Sequence, residues 1–145
     1  MMAERNVAAI LGGRKVLGKP VGGLDFADLV KQGLPPSALE HVKDVLKLSD
    51  REVSSALGVS EKTAWRLRHA PAKRLNSVTS DRLYRLARIF ALAENVLEDR
   101  EQAREWLLSP QAGLNNRVPF ELIETEAGAR EVEDLLLRIE HGVLS

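Results

Sequence analysis

A chain of 145 residues is the size of one compact domain, and its composition, 44% hydrophobic but only 4% aromatic, favours an all-α fold with an aliphatic core. The absence of cysteine excludes disulfides, thiolate metal sites and a cysteine nucleophile, and no apolar run is long enough for a membrane span or a signal peptide, so we expect a cytoplasmic protein. The formal net charge of zero argues at first against a nucleic-acid partner.

The first 23 residues combine a short apolar stretch with many residues that interrupt helices. The apolar stretch predicts a short helix near residues 3–11. Five glycines and Pro20 then follow between residues 12 and 23, a density that breaks regular structure. Residues 1–23 are therefore predicted to be a flexible N-terminal arm outside the core.

Two helices are predicted between residues 24 and 47. Phe26, Leu29 and Val30 have helical spacing, and the run Gly33-Leu34-Pro35-Pro36 ends their helix and starts the next one. The second helix is predicted to reach about Lys47. Its inward-facing side chains are expected to be Leu39, Val42, Val45 and Leu46.

Residues 49–69 carry the signals of two short helices joined by a tight turn. Ser49 and Glu52 have the spacing of a capping box, in which each side chain accepts a hydrogen bond from a backbone N–H group at the other residue. The first helix must then end at Gly58, and Ser60 can cap a second helix that continues until Pro71 interrupts it. This arrangement is a helix-turn-helix, predicted to be the DNA-binding part of a domain over residues 24–92. Its buried positions are expected to be Val53, Ser54, Leu57, Val59, Ala64 and Leu67.

The distribution of charge along the chain supports DNA binding by this domain. Residues 60–92 carry eight basic and two acidic side chains, whereas residues 93–145 carry five basic and twelve acidic ones. A local basic patch can neutralise phosphates whatever the whole-chain total, so the middle is suited to DNA and the acidic end to another partner. The alternative is a simple αα-corner whose basic face is only solvated.

The free face of the second short helix is expected to hold the DNA contacts. Basic side chains there can bind phosphates or guanine edges, Thr63 can touch a thymine methyl group or a phosphate, and the helix N-terminus offers N–H groups to a phosphate. Trp65 can pack on a sugar or on a dimer mate, although a large aromatic is more often half-buried against a neighbouring helix. The predicted DNA-binding residues are Ser60, Lys62, Thr63, Trp65, Arg66, Arg68 and His69.

Three main helices are predicted in the rest of the chain. The longest begins at Ser80 or Asp81, a short one covers residues 100–108, and after one turn at Pro119 a last helix runs from about Glu126 to His141. The last helix is amphipathic, and its outer face mixes charges with an apolar side chain. That face can dock a partner or can simply be solvated.

Several separated motifs of this sequence resemble the Xre/MbcA/ParS antitoxins. The similarity covers about residues 24–143, and several motifs in the right order are more specific than one. One departure is Ala64-Trp65 directly after Thr63, where that family often has an Arg-Arg pair. The motifs are, in order, Gly33-Leu34-Pro35, the helix-turn-helix, residues 80–88, residues 103–107 with Ser109-Pro110, Pro119-Phe120-Glu121-Leu122, and residues 125–133 and 139–142.

The resemblance implies an antitoxin of a bacterial type II toxin–antitoxin pair whose partner is a RES-domain toxin that consumes NAD. It implies that residues 93–145 are a toxin-binding domain that covers the NAD pocket of the toxin. The helix-turn-helix would repress the shared promoter by binding operator DNA, usually as a homodimer. The expected toxin contacts are Asn116, Arg117, Arg130, Glu133, Leu137, Arg138, His141 and Gly142.

Two other functions remain open from the residues themselves. One is a stand-alone helix-turn-helix transcription regulator whose acidic end only dimerises, and the other is a helical adaptor with no DNA role. No enzyme activity, cofactor or metal site is predicted. His41, His69 and His141 are too scattered for a helical metal pair, and the nearby carboxylates Glu124 and Glu126 lack a partnered base.

Overall fold

The computed structural model describes residues 2–18, 22–69 and 73–142. Over these residues the only β-structure is an isolated bridge between Gln111 and Arg117, and the all-α prediction is confirmed. A 3-10 turn at Ala112–Leu114 precedes the last two helices. The helices of the described residues are α1 (Met2–Ile10), α2 (Gly13–Leu17), α3 (Gly23–Gln32), α4 (Pro36–Leu46), α5 (Asp50–Leu57), α6 (Glu61–His69), α7 (Ser77–Leu97), α8 (Arg100–Leu107), α9 (Pro119–Leu122) and α10 (Glu126–Glu140).

The longest helix, α7, is the centre of the fold. It has 21 residues, and α1, α3, α5, α8 and α10 all pack against it. Ile89 and Phe90 are completely enclosed, and Ala87 and Ala93 are small where neighbouring helices approach. A helix that is apolar on most of its circumference must be buried. Because α7 runs unbroken across residue 92, the predicted DNA-binding and C-terminal units share it.

The N-terminal helices belong to the core, which corrects the prediction of an arm outside it. Val7, Ile10 and Leu11 of the α1 segment and Leu17 of α2 are buried, and α1 packs along α7. The glycines end and join the helices, as at Gly12, whose φ of 111° favours glycine. The prediction about Pro20 falls outside the described residues.

The start of α7 differs from the prediction, which placed it at Ser80 or Asp81. The helix begins at Ser77, and Asn76 is the N-cap, its side chain accepting a 2.7 Å hydrogen bond from the N–H of Thr79. Ser80 is completely buried and has another role, because its hydroxyl accepts a 2.8 Å hydrogen bond from the N–H of Leu34. This bond ties the loop between α3 and α4 to α7.

The other helices agree with the sequence patterns. Helix α4 ends at Leu46, α8 and α9 lie where they were predicted, and α10 ends one residue before the expected His141. The α10 stripe of Ala129, Val132, Leu135 and Leu136 is buried. No helix among the described residues is long and apolar enough to cross a bilayer.

Candidate functional site

Helices α5 and α6 form the predicted helix-turn-helix, and local hydrogen bonds define both ends of α5 and the start of α6. The capping box at α5 is complete, since the N–H of Ser49 donates to Glu52 over 2.8 Å and the N–H of Glu52 donates to the Ser49 hydroxyl over 3.1 Å. Gly58 ends α5 with a φ of 67°. Ser60 then caps α6 by accepting a 3.1 Å bond from the N–H of Thr63. The predicted start and end of α5 and the predicted start of α6 are confirmed.

The two helices pack through the predicted side chains. Val53, Leu57 and Ala64 are buried, and Val59 and Leu67 pack against the core while partly buried. Small Ser54 is also buried, and its hydroxyl donates to the backbone oxygen of Arg51 over 2.8 Å. The unit is therefore held together by apolar packing and presents the opposite side of α6 to solvent. The prediction that Pro71 interrupts α6 lies outside the described residues.

The free face of α6 carries most of the predicted DNA contacts. Lys62, Trp65, Arg66 and His69 are exposed, as is Ser60 at the helix start. Trp65 is 53% exposed, and its ring stacks on the ring of His69 with centroids 4.2 Å apart. Helical spacing places these side chains on one side, where they can meet a groove together. Thr63 lies at the edge of this face, half-buried, and its hydroxyl accepts from Ser60 over 2.9 Å.

Arg68 is the one predicted DNA contact that points inward. Its side chain is only 9% exposed, and its guanidinium lies 3.1 Å from Asp50 and 3.6 Å from Glu40. Asp50 belongs to α5 and Glu40 to α4, so Arg68 joins α6 to both neighbouring helices. Contact with a phosphate would require Arg68 to leave this position.

Most of the basic side chains in residues 60–92 are bound within the protein. Arg74 donates to the carbonyl of Gly33 over 2.7 Å and Arg82 to the carbonyl of Leu57 over 2.8 Å. Arg85 and Arg88 pair with carboxylates, as described below. Within the described residues, the cations of this segment without a hydrogen bond or an ion pair are Lys62, Arg66 and Lys73. Within residues 60–92, the cations without a partner in the described residues therefore lie on α6 and shortly after it.

Arg85 and Arg88 of α7 form ion pairs with Glu126 and Glu133 of α10. We term these ion pairs the α7–α10 clamp. Arg85 lies 3.3 Å from Glu126, and Arg88 lies 3.0 Å from Glu133 and 3.7 Å from Glu126. Arg85 also donates to the carbonyl of Glu124 over 3.3 Å. The acidic end of the chain therefore neutralises part of the basic segment inside the molecule.

The outer face of α10 holds most of the predicted toxin contacts. The side chains of Arg130 and His141 are 76% and 70% exposed, and Leu137 is 40% exposed between them. Arg138 is also exposed. Glu133 stands apart, because it faces Arg88 in the α7–α10 clamp. Gly142 follows with a φ of 71° and open space beside it.

The loop before α9 presents the remaining predicted contacts. Asn115 and Asn116 both have left-handed backbones, with φ of 56° and 62°, and their side chains are exposed. The N–H of Gln111 donates to the carbonyl of Arg117 over 3.1 Å, which closes the loop. The Arg117 side chain lines one end of a shallow groove of about 370 Å³ that continues along Leu122 and Gly128 to Glu131. The structure thus places the loop and the start of α10 on either side of one groove.

The residues that sequence reasoning overlooked are those that hold α6 in place. Arg82 was counted as part of a basic patch, yet it donates to the end of α5, and Gly58 makes room for it. The sequence did contain a signal that Arg68 points inward, because it lies four residues after buried Ala64 and therefore shares its helix face. No group of three histidine, cysteine or acidic side chains in the described part of the chain is placed to hold a metal ion.

These features define a helix-turn-helix protein to which a helical C-terminal unit is joined through one shared helix. Two family models match the chain: the antitoxin Xre-like helix-turn-helix domain over residues 25–88, and the antitoxin Xre/MbcA/ParS C-terminal toxin-binding domain over residues 92–142. The chain belongs to the Xre/MbcA/ParS family of antitoxins. Family membership favours an antitoxin over the stand-alone regulator and the helical adaptor.

Individual relatives agree with the family. Antitoxin Xre of Yersinia enterocolitica is 32% identical over 124 residues, which cover 85% of this chain and 83% of the relative. Antitoxin Xre of Photorhabdus laumondii is 25% identical over 121 residues, 81% of this chain and 79% of the relative. A chain in the crystal structure of the M. tuberculosis MbcT–MbcA toxin–antitoxin complex is similar with a TM-score of 0.56 and 27% identity, covering 76% of this chain and 96% of that one.

Proposed function

We propose that this antitoxin neutralises a RES-domain toxin that consumes NAD, by covering the toxin's active site with residues 115–117 and the outer face of α10. We further propose that it represses its own operon by binding operator DNA through α6. The observation that carries the first proposal is that the toxin-binding family model spans residues 92–142, the part of the chain that contains this outer face. The similarity to a chain of a toxin–antitoxin complex adds support.

The outer face of α10 has the composition of a docking surface. Leu137 is an exposed apolar side chain, and Arg130, Arg138 and His141 surround it with groups that donate hydrogen bonds. An apolar anchor within a polar rim is the usual arrangement of residues that dominate binding energy. Exposed Asp134 and Glu140 also lie on this helix, so the rim carries charges of both signs and favours a toxin surface of complementary charge pattern.

The loop supports the same proposal through its rigidity. Two consecutive left-handed asparagines and the 3.1 Å bond between Gln111 and Arg117 define the backbone from which the Asn116 and Arg117 side chains project. A loop that is ordered before binding loses less entropy on binding. The loop and Leu137 therefore provide two separate contact regions for one partner.

Replacing Leu137 tests the toxin contact. The Leu137→Asp variant should bind a co-expressed RES-domain toxin at least about tenfold more weakly, because a charged group replaces an apolar anchor, and should fail to rescue cells from that toxin. Leu24→Asp is the matched control, since Leu24 is 87% exposed at the start of α3 and should leave rescue and affinity unchanged. Failure of the native chain to bind or neutralise any such toxin would overturn the proposal.

The proposal for DNA rests on the free face of α6. Lys62 and Arg66 are free to neutralise phosphates, and the exposed Trp65–His69 stack lies beside them. The helix start at Ser60 adds backbone N–H groups for a further phosphate. The family resemblance supports a homodimer as the DNA-bound form, which light scattering of the protein–DNA complex would measure.

The salt dependence of DNA binding tests the assignment of Arg66. Arg66→Gln should weaken binding to a duplex with the sequence upstream of the gene and reduce the slope of log K against log salt by about one. Arg138→Gln removes another exposed cation, this one from α10, and should change neither quantity. Equal effects of the two variants would show that the binding is only a response to total charge.

A further inference from the structure

Arg82 of α7 makes a contact with the helix-turn-helix that net charge does not explain. Its guanidinium donates a 2.8 Å hydrogen bond to the carbonyl oxygen of Leu57. Leu57 is the last residue of α5, and the carbonyls at a helix C-terminus lack partners within their own helix. A cation at this end also interacts favourably with the helix dipole. The contact therefore fixes the end of α5 against the central helix.

Gly58 provides the space for this contact. A Cβ atom at residue 58 would lie 1.6 Å from an Arg82 guanidinium nitrogen and 2.8 Å from its central carbon. Glycine is thus favoured twice, by its φ of 67° and by the approach of Arg82. The turn between α5 and α6 therefore leaves space for the Arg82 side chain of α7.

The position of α6 depends on this turn, since only Gly58, Val59 and Ser60 separate it from α5. At its other end α6 is held by the ion pairs of Arg68 with Asp50 and Glu40. One arginine fixes the beginning of α6 and the other its end. Both guanidiniums are occupied by the protein, whereas the exposed cations of α6 are free.

We propose that Arg82 is a positioning residue for DNA recognition, which orients α6 by binding the end of α5 and does not itself contact DNA. The inference rests on the proposed DNA binding and adds a residue outside the helix-turn-helix to it. The contact of Arg82 with Leu57 sets the fraction of molecules in which α6 has the orientation that binds DNA. Removing Arg82 can therefore reduce DNA affinity by no more than the free energy of that contact. A charge-assisted hydrogen bond of this kind corresponds to roughly tenfold in affinity.

The test compares Arg82→Gln with Arg66→Gln on the same upstream DNA duplex over a series of salt concentrations. Arg82→Gln should weaken binding roughly tenfold at every salt concentration and leave the salt slope unchanged, whereas Arg66→Gln should reduce the slope by about one. Arg82→Lys keeps a donor at the same place and should recover part of the affinity. Toxin binding should be the same in all these variants, which shows that they are folded.

Gly58→Asn supplies an independent variant, because asparagine tolerates a left-handed backbone but its Cβ displaces Arg82. It should weaken DNA binding as Arg82→Gln does. Because both changes remove the same contact, the loss of DNA affinity in the double variant should be smaller than the product of the two single losses. Unchanged binding in Arg82→Gln, or a salt slope reduced by about one, overturns the positioning role. A native chain that binds no DNA overturns the DNA-binding proposal itself and is recognised before any variant is compared.

Discussion

The guanidinium of Arg68 lies between Asp50 and Glu40, at 3.1 Å and 3.6 Å, while its side chain is almost fully covered. We expect Arg68→Gln to lower the free energy of unfolding by about 1–2 kcal/mol, because the partners are half-exposed and screened but the buried stem and its donors are lost. Arg66→Gln, two residues earlier and exposed, should change stability by less than about 0.5 kcal/mol. Urea denaturation measures both, and equal losses would contradict the assignment.

For individual residues, the sequence identifies which side chains α6 carries but not the direction in which each of them points. The exposed positions of Lys62 and Arg66 follow from the helical period alone. The ion pairs that hold the Arg68 side chain inward could not be predicted, because they depend on Asp50 and Glu40 of two other helices. A basic side chain contacts DNA or protein according to whether a carboxylate lies within its reach, and tertiary packing decides this.

Among the helices, the start of α7 gives a direct test of local structure. The side chain of Asn76 accepts the N–H of Thr79, so Asn76→Ala should destabilise the protein by about 1 kcal/mol through loss of an N-cap. Ser77→Ala is the control, because Ser77 is exposed at the first helical position and its side chain makes no hydrogen bond within the described residues. Thermal unfolding should separate the two, and a cap at Ser80 would instead leave Asn76→Ala neutral.

The sequence predicts this helix but not its first residue, for a physical reason. Between residues 76 and 81 only Val78 cannot act as a cap through a side-chain oxygen. The choice is made by Leu34, whose backbone N–H needs a buried acceptor and finds it in the hydroxyl of Ser80. That requirement comes from a residue 46 positions away. By contrast, the ends of α5 are set by Ser49, Glu52 and Gly58 themselves and could be predicted.

For the molecule as a whole, the burial of the N-terminal helices predicts a large effect far from either binding surface. Ile10 is 1% exposed, so Ile10→Ala should cost about 3 kcal/mol by removing buried methyl groups and leaving a cavity. Ala9→Ser, at an exposed neighbouring position, should be nearly neutral. Urea denaturation measures both, and an effect of Ile10→Ala below about 0.5 kcal/mol would restore the view of an arm outside the core.

The density of glycine at the start of the chain was misleading because glycine serves two purposes. It can give flexibility, or it can permit a tight connection such as that at Gly12, which joins two short helices. The two roles can be distinguished only by the packing of α1 on the apolar face of α7, which the glycine positions do not reveal. The short apolar stretch before Gly12 was a usable signal, since an isolated helix of that length needs packing to be stable.

The α7–α10 clamp has a consequence for how such antitoxins can exchange parts by recombination. A crossover between related genes near residue 92 would place Arg85 and Arg88 from one parent opposite Glu126 and Glu133 from the other. A crossover just before α7 would transfer all four together. Among the described residues, three of the side-chain contacts divided by this junction use a backbone group of the first part, namely those of Ser80 with Leu34, Arg82 with Leu57 and Arg104 with Leu46. Two others, Ser55 with Glu124 and Lys47 with Glu101, join side chains of both parts. Hybrids that inherit α7 with the C-terminal unit should therefore keep the α7–α10 clamp intact, whereas their stability will depend on how well α1, α3 and α5 of the other parent pack on α7.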